Sequence, residues 1–201
     1  MGCMGRPSDA RERLVCAASD LLHARGYGAV GVAEICSAAD VRKGSFYHFF
    51  ESKQALTVEV VETAWVAQRP HWLAALADDE APLVRVERLL LLQARTQRDG
   101  HASTGTMLGC LFGNLALELS HEEVVAQALS AVFEDQVSLL AQALRAAAED
   151  ESIAPSRATT EAARDLLAQV EGTVLFAKVA NDPSLMDRLW PTSAMMLGVV
   201  A

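Results

Sequence analysis

Aromatic residues are scarce in this sequence of 201 residues, where phenylalanine, tryptophan and tyrosine together make up 5%. A β-sandwich would use more valine, isoleucine, threonine and tyrosine, whereas the abundant alanine and leucine favour helices. Hydrophobic residues reach 51% and charged residues 21%, which excludes a disordered chain and allows a sizeable core. The composition therefore predicts an all-α protein.

Motifs for metals, cofactors and catalysis are also missing. The four cysteines never form C-x-x-C, and no two histidines are four residues apart, so no zinc site is indicated. His121 begins an H-E-x-x-H pattern that Val125 breaks, and neither G-x-S-x-G nor a P-loop occurs. Gly26–Gly31 fits G-x-G-x-x-G but follows a predicted helix rather than a strand. We expect no metal, no cofactor, no catalytic residue and no enzyme.

Long apolar runs are absent as well. The longest stretch without charge, Gly100–Leu117, contains histidine, serine, threonine and asparagine, and is a poor membrane span. Residues 1–9 lack the apolar core of a signal peptide. These features predict a cytoplasmic protein that does not engage a membrane.

The net charge of −9 is unevenly distributed. Residues 1–56 carry seven basic and six acidic side chains, whereas residues 57–201 carry ten and twenty. Such a division suits a small head that contacts nucleic acid, attached to an acidic body.

The first fifty residues show the pattern of three helices. Asp9 and Glu12 have the spacing of a capping box, and Gly26 ends the helix that they begin. Short helices are predicted at 33–39 and 42–49, separated by a tight turn, and Ser52 caps a longer helix. This is a helix-turn-helix arrangement. It predicts a DNA-binding domain at 1–52, followed by a second helical domain at 53–201, for which the family resemblance given below implies ligand binding and dimerisation.

The body is helical throughout by its apolar periodicity. Gly105, Gly109 and Gly113 fall on one stripe of a predicted helix, which suggests a closely packed neighbour or room for a ligand. The predicted helices span 53–76, 83–98, 104–119, 122–149, 157–180 and 184–197.

Apolar residues of the head are spaced to form a core, with Ile35, Ala38, Val41 and Phe46 against the first helix. The remaining side chains of the third helix are hydrogen-bond donors that suit base edges and phosphates, and Gly44 permits close approach. Lys53 begins the next helix, whose N-terminal amides also favour anions. The predicted DNA-binding residues are Arg6, Gly31, Arg42, Lys43, Gly44, Ser45, Tyr47, His48 and Lys53.

This stretch resembles the TetR family of transcriptional regulators, through Gly26-Tyr27 and above all Gly44–Phe50 with Ser52-Lys53. Three positions depart from the family pattern: Gly31 replaces a hydroxyl residue, Asp40 replaces the turn glycine, and Arg42 replaces a serine. The resemblance implies a homodimer that binds a palindromic operator in double-stranded DNA.

An effector site is predicted around the glycine-containing helix. Cys110 has two open interpretations, an inert apolar residue or a reactive thiol; its segment resembles that of TetR relatives that respond to electrophiles and unsaturated acids. For the two tryptophans, plain core packing is the preferred interpretation and effector binding the alternative. The predicted effector-binding residues are Trp65, Trp72, Met107, Cys110, Leu111, Asn114, Phe133 and Phe176.

A second apolar stripe lies on the last two predicted helices. The resemblance implies that it pairs with the same stripe of a second chain across a two-fold axis; the alternative is burial inside one chain. The residues of the stripe are Leu166, Val170, Thr173, Val174, Ala177, Leu189, Met196 and Leu197. The sequence thus predicts a ligand-responsive transcriptional regulator, preferably a repressor released by a small molecule. The alternative is a helical small-molecule-binding protein or enzyme with a vestigial DNA-binding head.

Overall fold

The structure, a computed structural model, describes residues 9–199. These residues form nine α-helices and two 3-10 helices and contain no strand, which confirms the all-α prediction. The α-helices are α1 (Ala10–Arg25), α2 (Val32–Ala38), α3 (Lys43–Phe49), α4 (Lys53–Ala75), α5 (Pro82–Thr104), α6 (Leu111–Leu119), α7 (Glu123–Glu149), α8 (Thr160–Ala180) and α9 (Leu189–Leu197). The 3-10 helices are Pro155–Arg157 and Pro183–Arg188.

The helices belong to two compact units, and the division falls inside α4 and inside α7. The first unit holds the chain up to Ala67 together with Cys110–Val132. The second unit holds Gln68–Gly109 and the chain from Phe133 onward.

Local signals set the helices of the head. The Asp9 side chain accepts a hydrogen bond from the Glu12 amide at 2.9 Å, which caps α1, and Gly26 ends the helix with φ +82°. The Ala55 amide donates to the Ser52 hydroxyl at 3.0 Å and so caps α4. Asp40 takes the left-handed conformation, with φ +52°, in the turn between α2 and α3. The predicted helix-turn-helix is confirmed.

The core of the head differs from the prediction at two positions. Ile35 and Phe46 are fully buried as expected, but Ala38 is exposed and Val41 is only half-buried. Ala39 takes the interior place next to Ala38. The residues buried in the head are Leu14, Val15, Ala18, Leu22, Val30, Ile35, Cys36, Ala39, Phe46 and Phe50.

The predicted helix over 104–119 is wrong in its first half. The helix α5 continues to Thr104, and Gly105 and Gly109 then take positive φ of 72° and 82° in a loop that precedes α6. The three glycines therefore form no stripe, because only Gly113 lies in a helix. A left-handed glycine is a usual way to end a helix, which explains the break after Thr104.

A side chain fixes this loop within the second unit. Asn181, itself left-handed at the end of α8, accepts a hydrogen bond from the Met107 amide at 2.8 Å. The side-chain amide nitrogen of Asn181 donates to the Gly105 carbonyl at 3.2 Å. The loop thereby keeps its polar backbone groups satisfied while the Met107 side chain is buried.

The predicted C-terminal stripe is largely buried inside the chain, which corrects the expectation that it faces a partner. Residues of the stripe such as Leu166, Val174 and Leu189 are less than 5% exposed. Helices α8 and α9 and the 3-10 helix before α9 pack on one another. A different apolar face is open to solvent; it consists of Leu175, Phe176, Val179 and Met195.

One described helix, α7, is long and apolar enough to cross a membrane by length and composition alone. In this fold 44% of its apolar window is buried, and core helices of soluble proteins pass the same test. The helix is therefore no evidence for a membrane protein.

Candidate nucleic-acid interface

The outer face of α3 presents hydrogen-bond donors to solvent. Arg42, Lys43 and His48 are exposed, and Tyr47 is 56% exposed. The Tyr47 ring is held edge-on against buried Phe46, with ring centroids 5.1 Å apart. The helix therefore buries its apolar side and leaves its donors outside, which is the arrangement that major-groove readout requires.

Two surface clefts flank α3 within the first unit. A cleft of about 290 Å³ lies on the side of α1 and is lined by Arg13, Arg42, Ser45 and His48 among others. A second cleft of about 440 Å³ involves Arg11, Tyr47 and Glu59. Both clefts are open to solvent. A large partner with a grooved surface, such as duplex DNA, can therefore contact the protein on either side of α3.

The structure places Lys53 differently from the other predicted donors. Its ammonium donates to the carbonyls of Tyr27 at 2.8 Å and Val30 at 2.9 Å, and it lies 3.6 Å from the centre of the Tyr27 ring. Burial lowers the pKa of Lys53, and the nearby Glu118 carboxylate opposes this shift. This geometry favours a role for Lys53 in holding the loop between α1 and α2.

Glu118 on α6 holds the same loop from the other side. Its carboxylate oxygens accept hydrogen bonds from the amides of Tyr27 at 2.9 Å and Gly28 at 2.7 Å. In a second hydrogen bond nearby, the side-chain amide nitrogen of Gln54 donates to the Glu122 carboxylate at 2.6 Å. The two residues that clamp the loop, Lys53 and Glu118, thus connect the helix-turn-helix to α4 and α6.

Replacing Lys53 with methionine tests its role. We expect the variant to lose about 1–3 kcal/mol of unfolding free energy, because two carbonyl partners lose a charged donor. The salt dependence of DNA binding should stay the same if Lys53 only holds the loop. Thermal unfolding and binding titrations at several salt concentrations measure the two effects. A smaller salt slope would instead support the predicted phosphate contact.

The other predicted DNA-binding residues are Arg6, Gly31, Gly44 and Ser45. Arg6 falls outside the described residues. Gly31 is exposed at the N-cap of α2, where no side chain caps the helix. Gly44 and Ser45 lie on α3 as predicted, and a Cβ on Gly44 would meet no atom within 4 Å.

The predicted effector residues are divided between the two units. In the first unit, Cys110 caps α6 by accepting the Gly113 amide at 3.4 Å, and the Trp65 ring stands edge-on to Phe112 with centroids 6.4 Å apart. Leu111 is buried and Asn114 half-buried on the same first turns of α6. Trp65 and the start of α6 thus lie together.

The remaining effector candidates are in the second unit. Trp72 and Met107 are buried, and Phe133 is half-buried. Phe176 is 70% exposed on α8, beside the exposed Leu175 and Val179. Its position favours a contact with another chain over a place in an interior ligand site.

Family models match both parts of the chain. Residues 14–60 match the model described as bacterial regulatory proteins of the tetR family. Residues 86–192 match the model for the tetracyclin repressor-like C-terminal domain. The first match covers α3 and its donors, and the second covers more than half of the chain.

Individual relatives agree with these matches. The transcriptional repressor DhaR of Mycobacterium sp. (strain GP1) is 30% identical over 89% of this chain and 87% of its own length. A regulatory protein TetR from Rhodobacter sphaeroides has a crystal structure that superposes with a TM-score of 0.82 at 30% identity, over 93% and 98% of the two chains. The reduced form of E. coli NemR gives 0.80 at 28% identity, over 96% and 97%. Matches of this extent, together with the donor-bearing α3, make the chain a member of the TetR family of transcriptional regulators.

Proposed function

We propose that this regulator is a cytoplasmic, homodimeric repressor that binds a palindromic operator and is released by a small molecule. Residues 1–52 read the DNA, and residues 53–201 bind the effector and form the dimer. The observation that carries the proposal is the exposed row of donors on α3, fixed from behind by buried Phe46. The relatives DhaR and NemR, both named repressors, support the sign of regulation.

Exposed apolar side chains on α8 and α9 support a dimer. Leu175, Phe176, Val179 and Met195 expose large apolar side chains within the second unit. Exposed apolar side chains grouped on one helix, as the three on α8 are, are typical of a protein interface. Two-fold symmetry then presents two copies of α3 to half-sites about one DNA turn, ~34–36 Å, apart.

The effector is a small, largely apolar molecule that contacts the start of α6. Leu111 and Trp65 supply apolar surface there, while Cys110 and Asn114 supply polar atoms. This mixture of apolar side chains and few polar groups is typical of small-molecule sites. Since Glu118 on the same helix holds the α1–α2 loop, a shift of α6 moves the support of that loop in the head.

Direct binding tests the proposal. The purified protein should bind duplex DNA from upstream of its own gene, and the affinity should fall steeply as salt rises. Tyr47→Phe removes only the hydroxyl and keeps the ring against Phe46, so we expect about a tenfold or greater loss of affinity from one phosphate contact. Gel-shift titrations measure both.

Circular dichroism and melting temperature provide the control, because Tyr47→Phe should leave both unchanged. Absence of salt-sensitive binding to any upstream palindrome would contradict the proposed function. Turnover or ligand binding without DNA binding would favour the alternative of an enzyme or carrier with a vestigial head.

A further inference from the structure

Most arginines of this chain are neutralised by carboxylates. Among the described residues, eight arginines form ion pairs with aspartate or glutamate. Five have no such pair; three of them, at 145, 157 and 188, are exposed in the second unit. The other two, Arg13 and Arg42, line the same cleft in the first unit. Two arginines without a carboxylate partner therefore meet in one cleft of the first unit.

The state of Arg13 is unusual for a partly buried group. Its Nε is buried and has no hydrogen-bond partner. Arg13 also forms no ion pair with a described carboxylate, so the outer nitrogens of its guanidinium are free to bind an acceptor from outside the chain. Arg11, two residues earlier on α1, has both an ion pair with Glu59 and a ring contact with Phe50.

The other groups that line the cleft indicate the kind of acceptor. Ser45 and His48 of α3 add hydrogen-bond donors, and Asp40 adds one negative charge. The two guanidinium groups and this one carboxylate together carry a net charge of +1. A singly charged anion with several acceptor oxygens matches this set, and the phosphodiester of a nucleic-acid backbone is such a group.

We propose that the cleft between α1 and α3 binds one backbone phosphate of duplex DNA, held by Arg13 and Arg42. The inference rests on the proposed DNA-binding function and deepens it, because it assigns a DNA contact to α1. Two residues of the cleft, Ser45 and His48, belong to the exposed helix that faces the groove, so a bound duplex brings its backbone to this position. The contact is independent of base sequence and positions the recognition helix on the duplex.

Fluorescence anisotropy with an upstream duplex and an unrelated duplex, at several potassium chloride concentrations, tests the assignment. Arg13→Met keeps the apolar stem and removes the charge. We expect it to weaken binding to both duplexes by a similar factor, about five- to tenfold, and to reduce the salt slope by about 0.9. Arg13→Lys should keep the slope.

Arg145→Met is the matched control, since it removes the same charge from an exposed arginine of the second unit that has no ion pair. It should leave the salt slope unchanged. Ala10→Glu, which adds a carboxylate to the wall of the cleft, should weaken binding as Arg13→Met does and covers the case in which Arg13→Met fails to fold. If the wild type binds normally but Arg13→Met keeps its salt slope, or Ala10→Glu keeps its affinity, the phosphate assignment is overturned and the proposed DNA-binding function still stands. Wild-type protein that binds neither duplex would overturn the proposed function itself.

Discussion

Val179→Asp should convert the proposed dimer into a monomer and reduce operator affinity by about a hundredfold or more. Val179 is 80% exposed on α8, beside Phe176 at 70% and near Leu175. A carboxylate there must be desolvated opposite an apolar surface, which is strongly unfavourable. Separate monomers also lose the high effective concentration that links two half-sites, an advantage of about 10²–10⁴.

Sedimentation equilibrium measures the mass, and anisotropy titration measures the affinity. Val66→Asp is the matched control, because Val66 is also an exposed helical valine, at 72%, but lies on α4 in the first unit. It should remain dimeric and bind the operator normally. A dimeric Val179→Asp with full affinity would show that the interface lies elsewhere.

Gly26→Ala should destabilise the protein by about 3 kcal/mol. Gly26 has φ +82° and ψ 166°, a conformation that is essentially restricted to glycine and costs other residues about 1–3 kcal/mol. A Cβ at this position would also overlap a carboxylate oxygen of Glu118. For a chain of this size, we expect the melting temperature to fall by about 6–12 °C.

A double variant separates the two causes. Glu118→Ala removes the overlap but not the backbone strain, so Gly26→Ala with Glu118→Ala should be less destabilised than the sum of the single changes. Gly44→Ala is the control: Gly44 lies within α3, and its Cβ would meet no atom within 4 Å. That change should stabilise α3 by about 0.5–1 kcal/mol. Additive effects of the pair would show that the Glu118 contact does not restrict position 26.

The head was predictable because its signals are local. Asp9 and Glu12 mark the start of α1, Gly26 marks its end, and Ser52 marks the start of α4. Each of these residues bonds to or terminates a helix within four positions along the chain, so these helix boundaries can be predicted from the local sequence. The same holds for the exposed donors of α3, which are the residues left over once Phe46 is assigned to the core.

The region around Gly105 and Gly109 was harder to predict. No proline or charged residue interrupts 100–117, so apolar periodicity continues across a loop and suggests one helix. Gly105 ends α5, and the conformation of the loop that follows is held by Asn181, more than seventy residues away, which binds its backbone at Met107 and Gly105. Interactions of this separation leave no periodic trace in the sequence.

The partners of charged side chains were equally hard to predict, because they are distant in the sequence. Lys53 was predicted as a phosphate contact, yet its ammonium binds two loop carbonyls. Glu118 received no role from the sequence because its partners, Tyr27 and Gly28, are about ninety residues away. Arg11 differs from Arg13 through its contacts with Glu59 and Phe50, which the sequence around α1 cannot reveal.

The two hydrogen bonds that Glu118 makes with the α1–α2 loop have a thermodynamic consequence. Any molecule that binds better to a displaced α6 must work against these bonds, and operator DNA that favours the clamped loop strengthens that opposition. Linkage is reciprocal, so the factor by which such a molecule weakens operator binding is the factor by which the operator weakens its own uptake. Protein bound to an operator then has a lower affinity for the effector than free protein. The effector concentration needed for release therefore depends on how many copies are bound to operators.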